Sequence, residues 1–320
     1  MLLSVIVPVH NENESLLEMD FRLHQALRSL ESGFEYQIIY IDDGSTDNSN
    51  LLLKKLSTNY RTELVTLRAN FGKSMALLAG FKYAKGEFIA TIDSDLQDFP
   101  EDIPVMFNFM QETNCDVVCG WRFKRKDTFA KKLVSKLYNY TIKIITGLEI
   151  HDHNCGLKLY RKNVISHISV YGQFHRYLAL QAHLSKFSIK ECRVQNAPRK
   201  FGESKYPTLR MEGIFDLISV LLASNARFTP SHFFGIVSSF PFIGSTLIMI
   251  YLLTLHTYAV FTGDNTYLIT SRPLFVIAVI LFLASIQILT AGLVCDFYLS
   301  KVMQNDNDKT LSYIVKDNEE

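Results

Sequence analysis

The chain has 320 residues, of which 48% are hydrophobic and 20% are charged, and its formal net charge is +1. This composition is too apolar for a disordered chain, and the length excludes a small disulfide scaffold. The balanced charge gives no electrostatic support for nucleic-acid binding. The mean hydropathy of +0.09 is high for a soluble enzyme, which predicts either a very apolar core or membrane segments.

The first two thirds of the chain alternate between strand-like and helix-like segments. Apolar runs of strand length occur at 2–7, 36–41, 64–67, 87–92 and 116–119. Helical stretches separate them, including 72–83 and one that begins at Pro100. The alternation predicts an α/β fold with a doubly wound, mainly parallel sheet. Ligands of such sheets bind beyond the carboxyl ends of the strands.

The strongest chemical signal follows the fourth strand. Asp93 and Asp95 stand two positions apart at the strand end, and Gln97 offers a further oxygen. Hard oxygen ligands of this kind suit Mg²⁺ or Mn²⁺, whose coordination is usually completed by substrate phosphates. The alternative is a solvated acidic loop that caps the next helix.

A second acidic turn, Asp42-Asp43-Gly44-Ser45, follows the second strand. A carboxylate here can accept hydrogen bonds from a ribose hydroxyl or a base N–H, and Gly44 allows close backbone approach. The alternative is a plain strand-to-helix turn in which Thr46 or Asp47 caps the next helix. No P-loop or dinucleotide-binding glycine motif occurs, so a bound phosphate must be neutralised by a metal and by basic residues.

Basic residues cluster in two places. The first group comprises Arg122, Lys124, Arg125, Lys126, Lys131, Lys132 and Lys136, with Ser135 among them, and the second comprises Arg199, Lys200 and Lys205. Each cluster is either a solvated face, a surface for anionic lipid headgroups, or a site for a phosphate anchored in a membrane. Arginine suits the last role because its planar guanidinium binds phosphate through two parallel hydrogen bonds.

Hydrophobicity is concentrated near the carboxyl end of the chain. No Asp, Glu, Lys or Arg occurs at 231–263 or at 273–295, and these stretches predict two membrane spans near 233–255 and 274–295. The alternative is a pair of buried core helices. Lys205, Arg210 and Arg227 precede the spans and Lys301 follows them, so the positive-inside rule predicts that both chain ends are cytoplasmic.

These observations predict a cytosolic α/β domain at 1–206 and an amphipathic, membrane-interface segment at 207–230. A transmembrane hairpin at 231–296 and a cytosolic tail at 297–320 follow. We expect no signal peptide, because the first apolar run stops at Asn11. The five scattered cysteines agree with a reducing compartment.

Several motifs occur together in one order. They are Ser4–Pro8 with Asn11-Glu12, the turn at Asp42–Asp47, Asn70-Phe71-Gly72-Lys73 and Asp93–Asp98. Together they resemble family 2 glycosyltransferases of the GT-A fold. The later segments Cys155–Tyr160 and Arg199–Tyr206 are similar to those of the dolichyl-phosphate mannose synthase and bactoprenol glucosyltransferase group, as are two C-terminal spans.

The resemblance implies a nucleotide-sugar donor, Mg²⁺ or Mn²⁺, and a polyprenyl phosphate acceptor of the undecaprenyl or dolichyl type in the cell membrane. The nucleotide-binding positions it implies are Pro8, Glu12, Asp42, Asp43, Lys73 and Asp93. Metal and diphosphate would be held by Asp93, Asp95 and Gln97. Acceptor phosphate would be met by Arg122, Lys131, Ser135 and Arg199, and the catalytic candidates are Asp95, Asp152 and Arg199.

The chain departs from this family pattern at two positions. Lys131 stands where many relatives have arginine, which keeps the charge and loses the planar fork. Gly156 stands where glucosyltransferase-like members tend to have Asp, so no general base is transferred, and Asp152 is only a nearby candidate. We expect an inverting single displacement from a nucleotide hexose, with a UDP-hexose favoured over GDP-mannose.

Three other functions are alternatives. A processive polysaccharide synthase would carry a Q-x-x-R-W segment, whereas the only tryptophan is Trp121. A non-catalytic membrane adaptor would bind a nucleotide sugar without turnover. A transporter or flippase subunit disagrees with two spans that lack charged residues. The resemblance is compatible with a homo-oligomer, but no heptad or interface motif indicates one.

Overall fold

The computed structural model describes residues 1–30, 34–123, 139, 142–144, 146–168, 174–198, 220, 230–263 and 269–316, with backbone alone for 299–316. The chain forms two compact units, Met1–Ala226 and Arg227–Glu320. The predicted interface segment at 207–230 lies outside the described residues except for Val220 and Pro230.

The first unit alternates strands with helices. Its strands are β1 (Leu2–Val9), β2 (Glu35–Asp42), β3 (Thr62–Thr66), β4 (Phe88–Thr91), β5 (Val117–Arg122), β6 (Lys158–Arg161) and β7 (Ile189–Val194). Its described helices are α1 (Asn13–Arg28), α2 (Ser49–Leu56), α3 (Lys73–Tyr83), α4 (Asp102–Thr113), α5 (Lys162–Ile165) and α6 (Leu178–Leu184). A short 3₁₀ helix, Phe174–Arg176, precedes α6.

The described strands form one sheet in the order β3-β2-β1-β4-β6-β5-β7. All neighbouring pairs are parallel except those of β6, which is antiparallel to both β4 and β5. The predicted α/β class with a mainly parallel sheet is therefore confirmed. The reversed strand β6 is the main feature that the hydrophobic pattern does not predict.

Helices cover both faces of the sheet, because successive side chains of a strand point to opposite sides. In β1, Leu3, Val5 and Val7 pack with α1 and α4, whereas Ile6 packs on the other face with α3. At Gly80 of α3 an added Cβ would lie 2.3 Å from the Ile6 side chain, so helix and sheet are in close contact. This arrangement leaves the loops at the carboxyl ends of the strands to form the site.

The second unit consists of two long apolar helices, α7 (Pro230–Thr262) and α8 (Pro273–Lys316). Pro230–Thr262 and Pro273–Tyr298 are long and apolar enough to cross a membrane, and they include the predicted spans. The buried residues Ser238, Ser245, Leu252 and Ala259 recur at heptad spacing, as two helices packed side by side require. On α8, Gly292 lies against the Phe234 ring.

Candidate active site

The loops that follow β1 and β2 are joined by side-chain hydrogen bonds. Asn11, whose φ of 53° is left-handed, accepts the Thr46 N–H through Oδ1 at 2.8 Å. The Glu12 N–H is donated to Ser49 Oγ at 3.0 Å. Between these loops lies a cleft of about 350 Å³, lined by Asn11, Glu12, Asn13, Glu14, Thr46, Asp47 and Asn48. Of the predicted nucleotide-binding residues, Glu12 lines this cleft.

Both carboxylates of the predicted acidic turn bind neighbouring groups of the chain. Asp43 accepts the backbone N–H groups of Phe71 and Gly72, each at 2.8 Å, and so fixes the segment that starts α3. Asp42 accepts the Ser45 N–H at 3.0 Å and the Asn50 amide at 2.6 Å. The two buried carboxylates of the turn therefore hold neighbouring loops in place at the carboxyl ends of the strands.

Gly44, the glycine of this turn, is required by its surroundings. Its φ is +64°, and an added Cβ would lie 2.5 Å from the carbonyl carbon of Ala69. Asp47 accepts the N–H of Ser49, the first residue of α2, at 2.9 Å. The N-cap of α2 is Asn48, which makes no side-chain capping bond, so Asp47 supports the helix start from one position before the cap.

Asp93 lies at the end of β4 and pairs with Lys73, the first residue of α3. Lys73 Nζ is 2.5 Å from Asp93 Oδ1. Burial raises the pKa of Asp93, but the Lys73 ammonium outweighs burial and holds the pKa below its ordinary value. Two residues predicted to bind the donor are therefore in direct contact, and Asp93 is a carboxylate at neutral pH.

Asp95 and Gln97 face each other across a tight turn. Leu96 between them has a left-handed φ of 59°, and its side chain is buried. Gln97 donates its backbone N–H to Asp95 Oδ1 at 3.2 Å and its side-chain amide to Asp95 Oδ2 at 2.6 Å. The turn places two of the three predicted metal ligands, Asp95 and Gln97, side by side.

The oxygens of Asp93, Asp95 and Gln97 fit a hard cation that is also coordinated by a phosphate. Carboxylate and amide oxygens are the ligands of Mg²⁺ and Mn²⁺, which retain positions for water or substrate. Within the described ranges, no group of three or more His, Cys, Asp or Glu side chains is arranged to hold a metal alone. A metal at Asp93 and Asp95 would therefore depend on the donor diphosphate for further ligands.

The reversed strand β6 carries its preceding loop to Asp93. Thr91 of β4 pairs with Lys158 of β6, and Thr91 Oγ1 donates to the Gly156 carbonyl at 2.9 Å. Lys158 is buried, and its ammonium donates to the Cys155 carbonyl. Gly156 packs directly against Asp93, since an added Cβ would lie 2.6 Å from the Asp93 carboxylate.

Replacing Gly156 with alanine is expected to lower turnover by roughly 10²-fold, the effect of displacing a reacting group by about 1 Å. The new methyl group would push the Asp93 carboxylate away from Lys73. Initial rates of sugar transfer by the full chain measure the effect. Gly235→Ala is the matched control because nothing lies within 4 Å of the added Cβ there, and equal rates for both variants would contradict the prediction.

Arg122 and Asp152 form a buried ion pair. Arg122 Nε is 2.7 Å from Asp152 Oδ2, and Nη2 is 3.0 Å from Oδ1. Their side chains are 11% and 8% exposed. Burial lowers the pKa of Arg122, but the hydrogen bond and the charge of Asp152, together with other nearby charges, raise the pKa by more, so the guanidinium stays charged. A predicted acceptor-phosphate residue and a predicted catalytic residue are thus bound to each other.

Asp98 is a buried carboxyl behind the metal-ligand turn, 2% exposed. Burial raises the pKa of Asp98 to about 6, and the charges of Asp93 and Asp95 raise it too, whereas Arg122 lowers it. The folded chain therefore holds a proton at Asp98 more tightly than the unfolded chain, in which the pKa is near 3.8. Ionised Asp98 destabilises the fold, and this cost is absent below pH 4 and complete above pH 6.

Asp98→Asn is consequently expected to gain stability relative to the wild-type chain as the pH rises from 4 to 7. A shift of two pKa units corresponds to about 3 kcal/mol. Unfolding of the detergent-solubilised chain, followed in the presence of a chelator across this pH range, measures the difference. A difference that does not change with pH would contradict the prediction.

The remaining predicted residues differ in what the structure describes of them. Pro8 is the last residue but one of β1, and its carbonyl accepts the Ser94 hydroxyl at 3.1 Å. Lys131, Ser135 and Arg199 lie outside the described residues.

Ser74 and His175 lie beside the site, and neither is among the site residues that the sequence predicts. Ser74 Oγ lies 2.9 Å from His175 Nδ1 and accepts the His175 backbone N–H at 3.3 Å. These residues are 101 positions apart, in α3 and in the 3₁₀ helix. The sequence signal was present, since His175 heads a helix and Ser74 follows Lys73, but each residue alone is typical of an ordinary helix end.

Comparisons with known proteins agree with this geometry. Residues 4–169 match the family model described as Glycosyl transferase family 2. A Rhizobium johnstonii protein named dodecaprenyl-phosphate galacturonate synthase is 34% identical over 321 residues, which is 98% of this chain and 92% of the relative.

Among solved structures, glucosyl-3-phosphoglycerate synthase from Mycobacterium tuberculosis is similar in fold. Its complex with phosphoglyceric acid has a TM-score of 0.52 at 15% identity, covering 69% of this chain and 79% of that chain. Its complex with Mn²⁺ and UDP-glucose has a TM-score of 0.51 at 15% identity, covering 69% and 78%. At this identity the likeness shows the fold alone.

Proposed function

Because the chain belongs to glycosyl transferase family 2, we propose that it transfers a sugar from a nucleotide diphosphate sugar to a polyprenyl phosphate held in a membrane. The observation that carries the proposal is the oxygen cluster of Asp93, Asp95 and Gln97 at the carboxyl end of β4. The relative named dodecaprenyl-phosphate galacturonate synthase, matched along nearly all of this chain, supports the acceptor.

The donor in this proposal is a UDP-linked hexose or hexuronic acid. UDP-galacturonate is the first donor to test, because the 34% identical relative is named a galacturonate synthase. UDP-glucose and GDP-mannose are the competing donors, since no single residue of the chain distinguishes their sugars.

The chemistry is a single displacement with inversion. An oxygen of the acceptor phosphate attacks the anomeric carbon while the bond from that carbon to the diphosphate oxygen breaks. The products are a polyprenyl phosphate sugar and the nucleoside diphosphate. The acceptor phosphate is ionised near neutral pH, so the attacking oxygen needs no strong general base. Both oxygens of Asp152 bind Arg122, so we assign Asp152 the role of a charge partner for Arg122 and not that of a general base.

The residues of the site supply positioning and charge. A divalent metal, where bound, would neutralise the charge that develops on the leaving diphosphate, and Asp93, Asp95 and Gln97 would hold it. Lys73 keeps Asp93 ionised and in place. Arg122 presents a permanent charge for the acceptor phosphate, and Lys131, Ser135 and Arg199 are proposed to join it.

We place the enzyme in the cell membrane, anchored by the two apolar helices. The catalytic domain and both termini are proposed to be cytoplasmic, as the basic residues outside the spans indicate. The domain limits remain those proposed from the sequence, at 206, 230 and 296. In this arrangement the lipid phosphate and the soluble donor meet at the membrane surface.

The test is transfer of radiolabelled sugar to undecaprenyl phosphate by the full chain in membranes or detergent. We expect one lipid-linked sugar product from a UDP-sugar, formed with Mn²⁺ or Mg²⁺ and lost on chelation. A polymeric product would identify a processive synthase instead. Nucleotide-sugar binding without any product would identify an adaptor.

A thermal-shift screen with UDP-galacturonate, UDP-glucose and GDP-mannose separates the donors. A ligand present at 100 times its dissociation constant stabilises the folded chain by about 2.7 kcal/mol. We expect the largest shift from the donor that also gives product, and a larger shift from GDP-mannose would contradict the UDP assignment.

A further inference from the structure

The Ser74–His175 contact fixes both the orientation and the proton of an imidazole at the site. Ser74 is buried, 3% exposed, and its Oγ accepts the His175 backbone N–H at 3.3 Å. The same oxygen lies 2.9 Å from His175 Nδ1. A buried hydroxyl proton requires an acceptor, and among the described residues Nδ1 is the acceptor within reach. The Ser74 O–H therefore donates to Nδ1.

This donation determines the tautomer of His175. An Nδ1 that accepts a hydrogen bond carries no proton, so the neutral ring carries its proton on Nε2. Within the described part of the chain, the hydrogen bonds of His175 are those to Ser74, and Nε2 is not among the buried atoms that lack a partner. His175, which is partly exposed, therefore carries a fixed N–H donor that no described residue accepts.

The ring lies beside the groups that we propose to bind the donor. Burial lowers the pKa of His175 to about 3, the Lys73 and Arg176 charges lower it further, and the nearby Asp93 raises it. His175 contacts Ser74, the neighbour of Lys73 in the chain, so the imidazole lies close to the Lys73–Asp93 pair, and its lowered pKa keeps it neutral at pH 7. A neutral hydrogen-bond donor suits a hydroxyl or carboxylate oxygen. A phosphate would instead be met by the Lys73 ammonium and by the metal that Asp93 and Asp95 are proposed to hold.

We propose that His175 is a sugar-recognition residue, whose Nε2–H donates a hydrogen bond to an oxygen of the sugar carried by the nucleotide donor. Ser74 is then a positioning residue that holds the ring and its tautomer. This proposal rests on the proposed function, because the sugar follows the diphosphate that Asp93 and Asp95 are proposed to hold. It adds a contact that distinguishes a nucleotide sugar from the free nucleotide.

Two isosteric variants separate recognition from a structural role. In His175→Asn the side-chain oxygen falls near Nδ1 and keeps the bond from Ser74, but the Nε2 donor is lost. In His175→Gln the amide nitrogen falls near Nε2 and keeps a donor there, but the bond from Ser74 is lost. A purely structural His175 would be replaced better by asparagine, whereas a sugar-recognition residue would be replaced better by glutamine.

The experiment measures the dissociation constants of UDP and of UDP-galacturonate for the full chain in detergent with Mn²⁺, and UDP-glucose is measured in parallel. We expect His175→Asn to weaken binding of the UDP-sugar by about tenfold, the effect of one lost hydrogen bond, and to leave UDP binding unchanged. We expect His175→Gln to bind both ligands nearly as well as the wild-type chain. Ser74→Ala should weaken sugar binding alone, by less than His175→Asn.

Two outcomes would overturn the proposal. One is asparagine restoring wild-type sugar binding, and the other is an equal loss of UDP and UDP-sugar binding in His175→Asn. A wild-type chain that binds none of UDP-galacturonate, UDP-glucose and GDP-mannose would contradict the proposed function itself. The two failures are therefore distinguishable.

Discussion

Replacing Asp95 with alanine is expected to lower sugar transfer by roughly 10²–10³-fold, the range for losing a group that stabilises developing charge. Both oxygens of Asp95 accept hydrogen bonds from Gln97 in the turn that follows β4. Its loss should also raise the concentration of Mn²⁺ or Mg²⁺ needed for half-maximal rate. Initial rates across a metal titration measure both effects.

Two further variants show whether a loss of activity comes from the missing carboxylate or from misfolding. Asp95→Asn keeps the size of the side chain and an oxygen for the Gln97 amide, and it should lose activity while retaining the thermal unfolding midpoint. Glu63→Gln removes a surface carboxylate that pairs with Lys85 at 2.6 Å, and its activity should equal that of the wild-type chain. Unchanged activity in Asp95→Ala would eliminate the metal-site hypothesis.

Removing Asp152 is expected to destabilise the first unit by about 3–5 kcal/mol, because it leaves the Arg122 guanidinium buried without its partner. For a domain of this size, the thermal unfolding midpoint should fall on the order of 10 °C. Unfolding of the detergent-solubilised Asp152→Ala chain measures the effect.

Glu149→Ala is the matched control for this change. Glu149 also pairs with a basic residue, Lys143, at 2.7 Å, but their side chains are 70% and 54% exposed. Exposed pairs contribute little to stability because water screens their charges, so this variant should be nearly as stable as the wild-type chain. Equal midpoints for the two alanine variants would contradict the account of the buried pair.

The double variant Arg122→Met with Asp152→Leu separates stability from function. Replacing both members of a buried ion pair with apolar residues is often neutral for stability. The double variant should therefore regain most of the unfolding midpoint that Asp152→Ala loses. It should not regain sugar transfer, because the positive charge proposed for the acceptor phosphate is gone, and recovery of transfer would remove Arg122 from the acceptor site.

The strands that the sequence predicts well are the long apolar ones. Except for Leu2, Pro8 and Glu35, every residue of β1 and β2 is buried, so nearly continuous apolar runs mark these strands clearly. The fourth strand and its acidic loop are found for the same reason. The polar residues after these strands share one sheet edge because the strands are parallel, which follows from the alternation with helices alone.

The reversed strand could not be predicted in this way. β6 has four residues, and one of them is the buried Lys158, so it lacks a strand-like hydrophobic pattern. The direction of a buried strand also leaves no mark on its hydrophobicity. The proximity of Gly156 to Asp93 depends on that direction, and it was therefore invisible in the sequence.

Long-range pairing of polar residues was equally inaccessible. The sequence predicts Arg122 as an acceptor-phosphate residue in a basic cluster and Asp152 as a catalytic candidate, and only the fold shows that they bind each other. The same holds for Ser74 and His175. The type of a residue indicates which groups its side chain can bind. Whether it binds a substrate or a distant part of the same chain depends on the tertiary structure.

Leu96 has a consequence for how the site meets its ligands. Its left-handed backbone is unfavourable by about 1–3 kcal/mol for a residue with a side chain, and the burial of that side chain in the core offsets the cost. The cost of the strained backbone is therefore offset on folding, before any ligand binds. Asp95 and Gln97 are pre-organised, and donor binding should require little ordering of this loop and proceed with a correspondingly small entropic penalty.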